Sequence, residues 1–381
     1  AIEAVVGGFD FTESKFNRSL QGWRQAGSTL KPFIYSLALE RGYTPASLIN
    51  DSPLSFGEGA NAWRPSNSDG EFYGPIRLRR ALYLSRNLVS IRLLQSVGID
   101  NARSYMQRFG FPRDRMQRNL TLALGSAEVL PVQMAAAYAA FANGGFHVTP
   151  FFIARVEDGK GKVLFRAAPE RVCRECENPL PAAEPEPVPT EITGEGDAIT
   201  VTEPPAPAMP FVPDYPVASR IMSARAAWQT QSILRDVIVR GTGRAALSLG
   251  RGDLAGKTGT TNDAKDAWFA GFGGKLVAVT WVGFDQPQTL GRMEYGGYAA
   301  LPLWNGFMGP ALAGVPEYHP PLPTGLVPVR LSLSTGQRTT DEDPDGYTDW
   351  LQVEKLPAAP APGTPETGAE VVPQVAPEDL F

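Results

Sequence analysis

Histidine and cysteine are nearly missing from this chain, with two of each in 381 residues. His147, in "GGFHVTP", and His319, in "EYHPP", stand near no obvious nucleophile, so a Ser–His–Asp hydrolase lacks its usual base. Cys173 and Cys176, in "VCRECEN", have no second pair to complete a zinc site and no helix start to suggest a thioredoxin-like centre. An inert pair, reduced or bridged, is what remains. HExxH, P-loop and GxGxxG patterns are absent, which removes the common handles of metal hydrolysis and nucleotide chemistry. Positive charge is also short: the net charge is −5 and basic residues come singly or in small groups such as "RLRR", which leaves no footprint for nucleic acid. No window approaches about 18 consecutive apolar residues. The chain opens on "AIEAVVGGFDF" without Met, a charged n-region or a cleavage site, so it is expected to be a soluble piece of a longer protein whose targeting signal lies elsewhere.

What is present is an ordinary globular composition, 43% hydrophobic and 20% charged, enough for one large domain or two. "AIEAVVGGFDF" alternates like a strand, whereas "PFIYSLALERG" and "IRLRRALYLSRNLVSIRLLQSVG" carry helical spacing. "GSAEVLPVQMAAAYAAFANGG" reads as a buried helix with Pro131 in its first turn and Gly144–Gly145 as its stop. "VTPFFIARVEDGKGKVLFRA" is a hairpin signal about a DG turn, and "DAWFAGFGGKLVAVTWVGFD" is a second one turning at Gly273–Gly274. "ASRIMSARAAWQTQSILRDVIVRGTG" predicts a helix stopped by Gly241, and another is expected near Ala299–Ala313. The fold class expected is α+β: a central antiparallel sheet, assembled from distant segments and flanked by helices, with a mostly helical subdomain inserted over residues 33–145. The domain is expected over 1–355, with a flexible Pro/Glu-rich insert over 169–216 and a disordered tail over 356–381. The cleft is expected between the helical block and the sheet.

Chemistry enters at "QAGSTLKPF". Pro32 has no N–H and fits only the first turn of a helix, so a helix begins at or just after Ser28. A serine there meets the positive end of the helix dipole and unpaired N–H groups, which favour an alkoxide and an oxyanion. Lys31, three residues on, lies on the same face, and desolvation or a nearby cation would make it a general base. An S-x-x-K arises by chance in roughly one chain in two and decides nothing alone. "LYLSRNLVS" adds Ser85 and Asn87 at a break between two helices, and "AGKTGTTN" adds the much rarer run Lys257-Thr258-Gly259-Thr260. Each pattern occurs once, in the order S-x-x-K, S-x-N, K-T-G.

On these motifs the chain resembles the penicillin-interacting serine enzymes, and most closely the class A high-molecular-weight penicillin-binding proteins of the Gram-negative 1A type. "VVGGFDFTESKFNRSLQGWRQAGSTLKPF", "WRPSN", "YGPIRLRRALYLSRN", "LALGSAEVLPVQMAAAYAAFANGGF" and "GKTGTTNDAKDAWFAGF" all carry the likeness, as does the C-x-x-C. It extends over nearly everything but the insert and the tail. The resemblance implies a penicillin-binding/β-lactamase-like transpeptidase fold and a D,D-transpeptidase that cross-links peptidoglycan stem peptides through a Ser28 acyl-enzyme, releasing D-Ala. Lys31 would activate Ser28, Ser85 would relay a proton toward the leaving amine, and Asn87 would hold Lys31 and the substrate amide. Lys257, with the Thr258 and Thr260 hydroxyls, would bind the terminal carboxylate; backbone N–H groups of Ser28 and Thr260 would form the oxyanion hole. Gly259 would leave the strand edge bare for a substrate backbone that adds as a further strand. Lys257 near Lys31 would lower the pKa of both. No metal or organic cofactor is implied. The implied partners are D-Ala-D-Ala donor and amine acceptor stem peptides, with β-lactams as covalent inhibitors. The implied setting is the periplasmic face of the bacterial inner membrane, with the family's membrane helix and glycosyltransferase domain outside this segment.

Three relatives share S-x-x-K. A β-lactamase would need a carboxylate-activated water, but the E-x-x-L-N loop has no match, and Glu128 reads as structural. A non-catalytic β-lactam sensor and a D,D-carboxypeptidase differ in what takes the acyl group rather than in these motifs. Trp63, Trp268 and Phe269 read as core or cleft-wall aromatics, and Arg77, Arg79 and Arg80 as a solvated face or ion-pair partners.

Overall fold

A single capped turn, α1 (Arg18–Gln21), precedes the first long helix of the computed structural model, which describes residues 1–174, 176, 213–332 and 335–357. That helix, α2 (Lys31–Glu40), has Pro32 in its first turn and is buried on all sides from Lys31 to Leu39. α3 (Leu78–Tyr83) and α4 (Asn87–Val97) are interrupted at Leu84–Arg86, where the sequence places the break, and α5 (Ile99–Gln107) follows. α6 (Pro131–Asn143) starts on its proline and stops at Gly144, whose φ of 93° only glycine adopts cheaply. α7 (Ala224–Val239) is capped by the Ser223 hydroxyl, and α8 (Leu301–Ala311) is the last. Phe33 of α2 is the hub of the helical packing, with ring centroids of Phe109, Phe111 and Phe141 at 4.9–5.1 Å and Tyr138 at 5.8 Å.

The strands in chain order are β1 (Arg24–Gln25), β2 (Leu48–Asp51), β3 (Gly74–Arg77), β4 (Glu128–Val129), β5 (Arg155–Glu157), β6 (Val163–Arg166), β7 (Ala255–Thr260), β8 (Asp266–Gly273), β9 (Leu276–Gly283), β10 (Leu326–Ser332) and β11 (Gly346–Gln352). β7, β8 and β9 form an antiparallel meander with β7 and β9 at its edges. Alternation sends β8 side chains to two cores: Trp268, Ala270 and Phe272 join the core of α2, α6 and α7, while Ala267 and Phe269 join Trp304 of α8. Phe269 and Trp304 meet edge to face at 4.9 Å. The α+β class is as expected, but among the described residues this sheet is three contiguous strands rather than an assembly of distant ones. "AIEAVVGGFDF" is not a strand: Gly7 and Gly8 interrupt the run, no strand pairs with it, and Val6, Phe9 and Phe11 are exposed. The hairpin after β8 turns at Gly274–Lys275, one residue later than predicted, because Gly274 takes φ 57°.

The described chain divides into two units, Ala1–Pro150 with Arg220–Phe381, and Phe151–Ser219. In the second, β5 and β6 pair about a five-residue turn, Asp158–Lys162, longer than the DG turn alone. Cys173 and Cys176 are joined as a disulfide. Most of the Pro/Glu-rich insert and of the tail lies outside the described residues. No helix of the described residues is long and apolar enough to cross a membrane.

In the first unit the hairpin β10–β11 is anchored by charge as well as by its small apolar cluster around Leu331 and Leu351. Arg79 of α3 donates to both carboxylate oxygens of Asp349, at 2.9 and 2.6 Å, and to Asp236 of α7 at 2.9 Å. Asp349 is buried, so removing it leaves the shielded guanidinium with Asp236 as its remaining carboxylate partner and takes the carboxylate from its Nε and Nη2 donors. Asp349→Ala is expected to lower unfolding stability by about 3 kcal/mol, read as a lower urea midpoint at unchanged m-value; a change within about 0.5 kcal/mol would show that the pair contributes nothing.

Candidate active site

Ser28 lies in a 3-10 turn, Gly27–Leu30, that runs directly into α2. Main-chain contacts hold the turn: Ala26 N–H donates to Ala127 O and Gly27 N–H to Gly125 O, both at 2.9 Å. The Tyr138 hydroxyl donates to Thr29 O and the Trp268 indole to Gln25 O, each at 2.9 Å. Gly27 has φ 55°, and a Cβ there would meet Thr260 O at 2.7 Å; a Cβ on Gly125 would overlap Gly27 O. Glycine at 27 lets the serine turn approach the end of β7 backbone to backbone, and glycine at 125 lets the 120–125 turn close on Gly27. Ser28 stays partly exposed while its neighbours Gly27, Thr29 and Leu30 are buried.

Two lysines with no exposed surface, Lys31 and Lys257, converge on Ser85. Lys31 Nζ donates to Ser85 O at 2.6 Å, Asn87 Oδ1 at 2.7 Å and Ser85 Oγ at 3.4 Å. Lys257 Nζ donates to Ser85 Oγ at 2.9 Å and Thr258 O at 3.0 Å. The expected face-sharing of Lys31 with Ser28 holds in sequence, but the hydrogen bonds of the ammonium go to the S-x-N turn and none goes to Ser28. Ser85 can present both oxygens because it ends α3 with φ 61°, a left-handed conformation rare outside glycine. Burial pushes the Lys31 pKa well below the ordinary lysine value, with Lys257 and then Arg86 adding repulsion and Asp51 opposing them. Its hydrogen bonds favour the ammonium, yet desolvation is the larger effect. Burial alone brings Lys257 down to about 7.

Behind Asn87 stands a polar cluster. Arg86 is buried and pairs with Asp51 at 2.8 Å and Asp69 at 2.6 Å, donates to Glu71 O, and lies over the Tyr73 ring at 4.5 Å. Asn67 accepts from Asn87 N–H at 2.8 Å and Leu88 N–H at 3.3 Å, and donates to Asp51 Oδ1 and Glu71 O at 2.9 Å each. Asn87 Nδ2 donates to Ser66 O at 2.9 Å, which leaves Oδ1 facing Lys31.

On β7, Lys257 Nζ also reaches the Thr258 hydroxyl, at 3.5 Å. Thr260 Oγ1 accepts from Gly296 N–H at 3.1 Å, so its proton is free to be donated. Thr258 Oγ1 lies 2.6 Å from Thr242 Oγ1. Gly259 has a constraint within the chain itself. A Cβ there would meet Thr29 Cγ2 at 2.7 Å and Ala26 O at 2.9 Å; the missing side chain makes room for the serine turn. The structure thus brings Ser28, Lys31, Ser85, Asn87, Lys257 and the 258–260 segment together. Asn67, Thr242 and Gly296 were not anticipated: "WRPSN" pointed to the first, but no spacing rule linked any of them to the site. Trp268 and Phe269 are core residues as expected, Trp63 stacks on Phe56 at 5.2 Å, and Glu128 pairs with Arg115 at 2.8 Å. His319 sits beside Glu317 on the surface.

The family model described as the penicillin binding protein transpeptidase domain matches residues 1–308. Penicillin-binding protein 1A of Pseudomonas aeruginosa is 46% identical over 395 aligned residues, covering 100% of this chain and 47% of that protein. Penicillin-binding protein 1A of Escherichia coli is 38% identical, covering 88% of this chain and 44% of that protein. The chain therefore spans somewhat under half the length of these relatives. The crystal structure of penicillin-binding protein 1A from Haemophilus influenzae superposes with a TM-score of 0.81 at 38% identity, covering 94% of this chain and 52% of that one. A Mycobacterium tuberculosis protein, PonA1, solved in complex with penicillin V, shares the fold with a TM-score of 0.62 at 23% identity over 84% of this chain and 76% of its own.

The packing of β7 on the serine turn can be tested by adding one methyl. Gly259→Ala is expected to cost about 1–3 kcal/mol in thermal unfolding, since backbone and Thr29 must both shift. Gly306→Ala, in α8 where an added Cβ meets nothing within 4 Å, is the control and should gain roughly 0.5–1 kcal/mol. Equal, small effects at the two sites would contradict the close approach.

Proposed function

The chain belongs to the penicillin-binding protein transpeptidase family, and from that premise we propose that it is the serine D,D-transpeptidase portion of a larger peptidoglycan synthase. The observation that carries the reading is the convergence of two shielded lysines on one hydroxyl beside the turn that bears Ser28. Ser28 Oγ attacks the carbonyl of the penultimate D-Ala of a donor stem peptide while neutral Lys31 takes its proton. Backbone N–H groups of Ser28 and Thr260 stabilise the oxyanion. The C–N bond then breaks, and the departing D-Ala amine receives a proton through Ser85. The amine of a second stem peptide attacks the Ser28 ester, forms the new amide and returns the serine as an alcohol. Lys257, Thr258 and Thr260 hold the donor's terminal carboxylate, and the donor lies along β7, an edge strand of its sheet. A β-lactam enters the same first step. Its ring amide opens on Ser28 and the leaving nitrogen stays attached, so the ester persists.

A hydrolase reading gains nothing here, because Glu128 is engaged by Arg115 rather than placed to activate a water. The glycosyltransferase domain of such a synthase would lie in the half of the relatives' length that this chain does not span. The transpeptidase would work at the outer face of the cytoplasmic membrane.

Intact mass after addition of a penicillin is expected to show one long-lived adduct that Ser28→Ala abolishes; no adduct on the wild type would overturn the reading, and an adduct lost within seconds would mean a β-lactamase. Lys31→Ala is expected to slow acylation roughly a hundred- to ten-thousand-fold, and near-normal acylation would remove Lys31 as the base. The two lysines also predict opposite pH limbs. Acylation rises with pH as Lys31 loses its proton, well below the pH at which a free lysine would. Binding of a carboxylate-terminated donor weakens as pH rises past about 7, where Lys257 becomes neutral, with the bound anion moving that limb upward. A donor KM independent of pH between 6 and 10 (about four units around the ordinary lysine range) would exclude Lys257 as the anion's partner.

A further inference from the structure

α4 begins at Asn87 without a capping side chain of its own. The residue in the N-cap position is Arg86, which has no acceptor to offer, and it makes no side-chain cap hydrogen bond. The first N–H groups of a helix need acceptors, and a buried start without them is costly. Asn67 supplies them from outside the helix: its Oδ1 takes Asn87 N–H at 2.8 Å and Leu88 N–H at 3.3 Å, 20 and 21 residues along the chain. Asn67 is itself 3% exposed and cannot rotate freely, because its amide nitrogen is committed to Asp51 Oδ1 and Glu71 O. The preceding residue completes the arrangement. Ser66 O accepts from Asn87 Nδ2 at 2.9 Å, and this fixes which end of the Asn87 amide turns toward Lys31. An Asn side chain is nearly symmetric in shape, so without such a partner oxygen and nitrogen could exchange places. With nitrogen toward Lys31, donor would face donor.

We propose that Asn67 is a positioning residue for acyl transfer: it caps α4 from a distance and, by fixing the backbone that carries Ser66 O, holds the Asn87 carbonyl oxygen on Lys31. The inference rests on the transpeptidase reading for its kinetic consequence, though not for the cap itself. Lys31 is then set by neighbours on each element packed against it: Lys257 from β7, Asp51 from β2, and Arg86, Ser85 and Asn87 from the α3–α4 turn. Of these hydrogen-bonding contacts, only the one to Asn87 depends on how an amide is turned. Loss of the Asn67 side chain releases the 66–67 backbone from the start of α4, so the Ser66 carbonyl no longer holds that amide in place, the Lys31 ammonium loses an acceptor and the base moves off its position.

The test compares the wild type, Asn67→Ala and the exchange Asp51→Asn/Asn67→Asp, which keeps one carboxylate and one amide in the pair. Hydrogen exchange at the Asn87 and Leu88 amides reads the cap, and the rate of acylation by a fluorescent penicillin, measured across pH on protein shown to be folded, reads the positioning. Asn67→Ala should exchange faster at the start of α4, acylate at least about ten-fold more slowly, and reach half its limiting rate at a lower pH. The exchanged pair should recover part of the rate and of the amide protection. Unchanged exchange in Asn67→Ala would refute the cap. Faster exchange with an unchanged rate and pH midpoint, or a slower rate with an unchanged midpoint and no recovery in the exchanged pair, would refute the positioning role. A wild type that takes no penicillin would instead sink the transpeptidase reading, with the cap still decided by the exchange data.

Discussion

The Ser85 hydroxyl lies between two lysine ammonium groups that the fold shields from water, 2.9 Å from Lys257 and 3.4 Å from Lys31. Two like charges so placed repel each other, and neither has bulk solvent to relieve it. One carboxylate, Asp51, acts on Lys31, but Arg86 already pairs with it. What stabilises either ammonium is therefore mostly a set of neutral oxygens: Ser85 O, Asn87 Oδ1, Thr258 O and the Ser85 hydroxyl. Neutral acceptors are not enough to hold both protons firmly, so at least one lysine gives up its own near neutral pH. A base and a cation of the same residue type can then coexist within one hydroxyl's reach.

That balance requires three distant segments to meet with little slack. The serine turn at 27–30, the 84–86 break and the β7 strand come from different parts of the chain; the turn meets β7 backbone to backbone, and the break is held by the Lys31 and Lys257 side chains. Gly27, Gly125 and Gly259 each sit where a Cβ would strike another segment's main chain or a buried side chain. Ser85 adopts a left-handed conformation that costs of order 1 kcal/mol, and the site keeps it because glycine would lose the hydroxyl that both lysines share. The Arg86–Asp51–Asn67 cluster surrounds this strained turn with charge and hydrogen bonds, so that it has one conformation rather than several.

Much of this was legible without coordinates. Pro32 and Pro131 marked helix starts, Gly144 marked a stop, and the break at Ser85 was placed correctly, because these residues act through their own backbone geometry. The K-T-G run fell on a strand as expected. Local pattern failed where an outcome depends on what lies across space. "AIEAVVGGFDF" has the alternation of a strand, but a strand exists only when another pairs with it. Gly259 reads as an open edge in sequence, whereas its constraint comes from Thr29 and Ala26 on the opposite segment.

The sequence by itself determined which residues make up the candidate site and the order in which they come, since Ser28, Lys31, Ser85, Lys257, Thr258 and Thr260 are all recognisable in its three short motifs. The tertiary structure alone decided their connections: that Lys31 bonds Ser85 and Asn87 rather than Ser28, that Thr242 meets Thr258, and that Asn67 caps a helix 20 residues away. Motif spacing reflects constraints along the chain. Hydrogen bonds and desolvation depend on distance through space, and that distance exists only once the chain has folded.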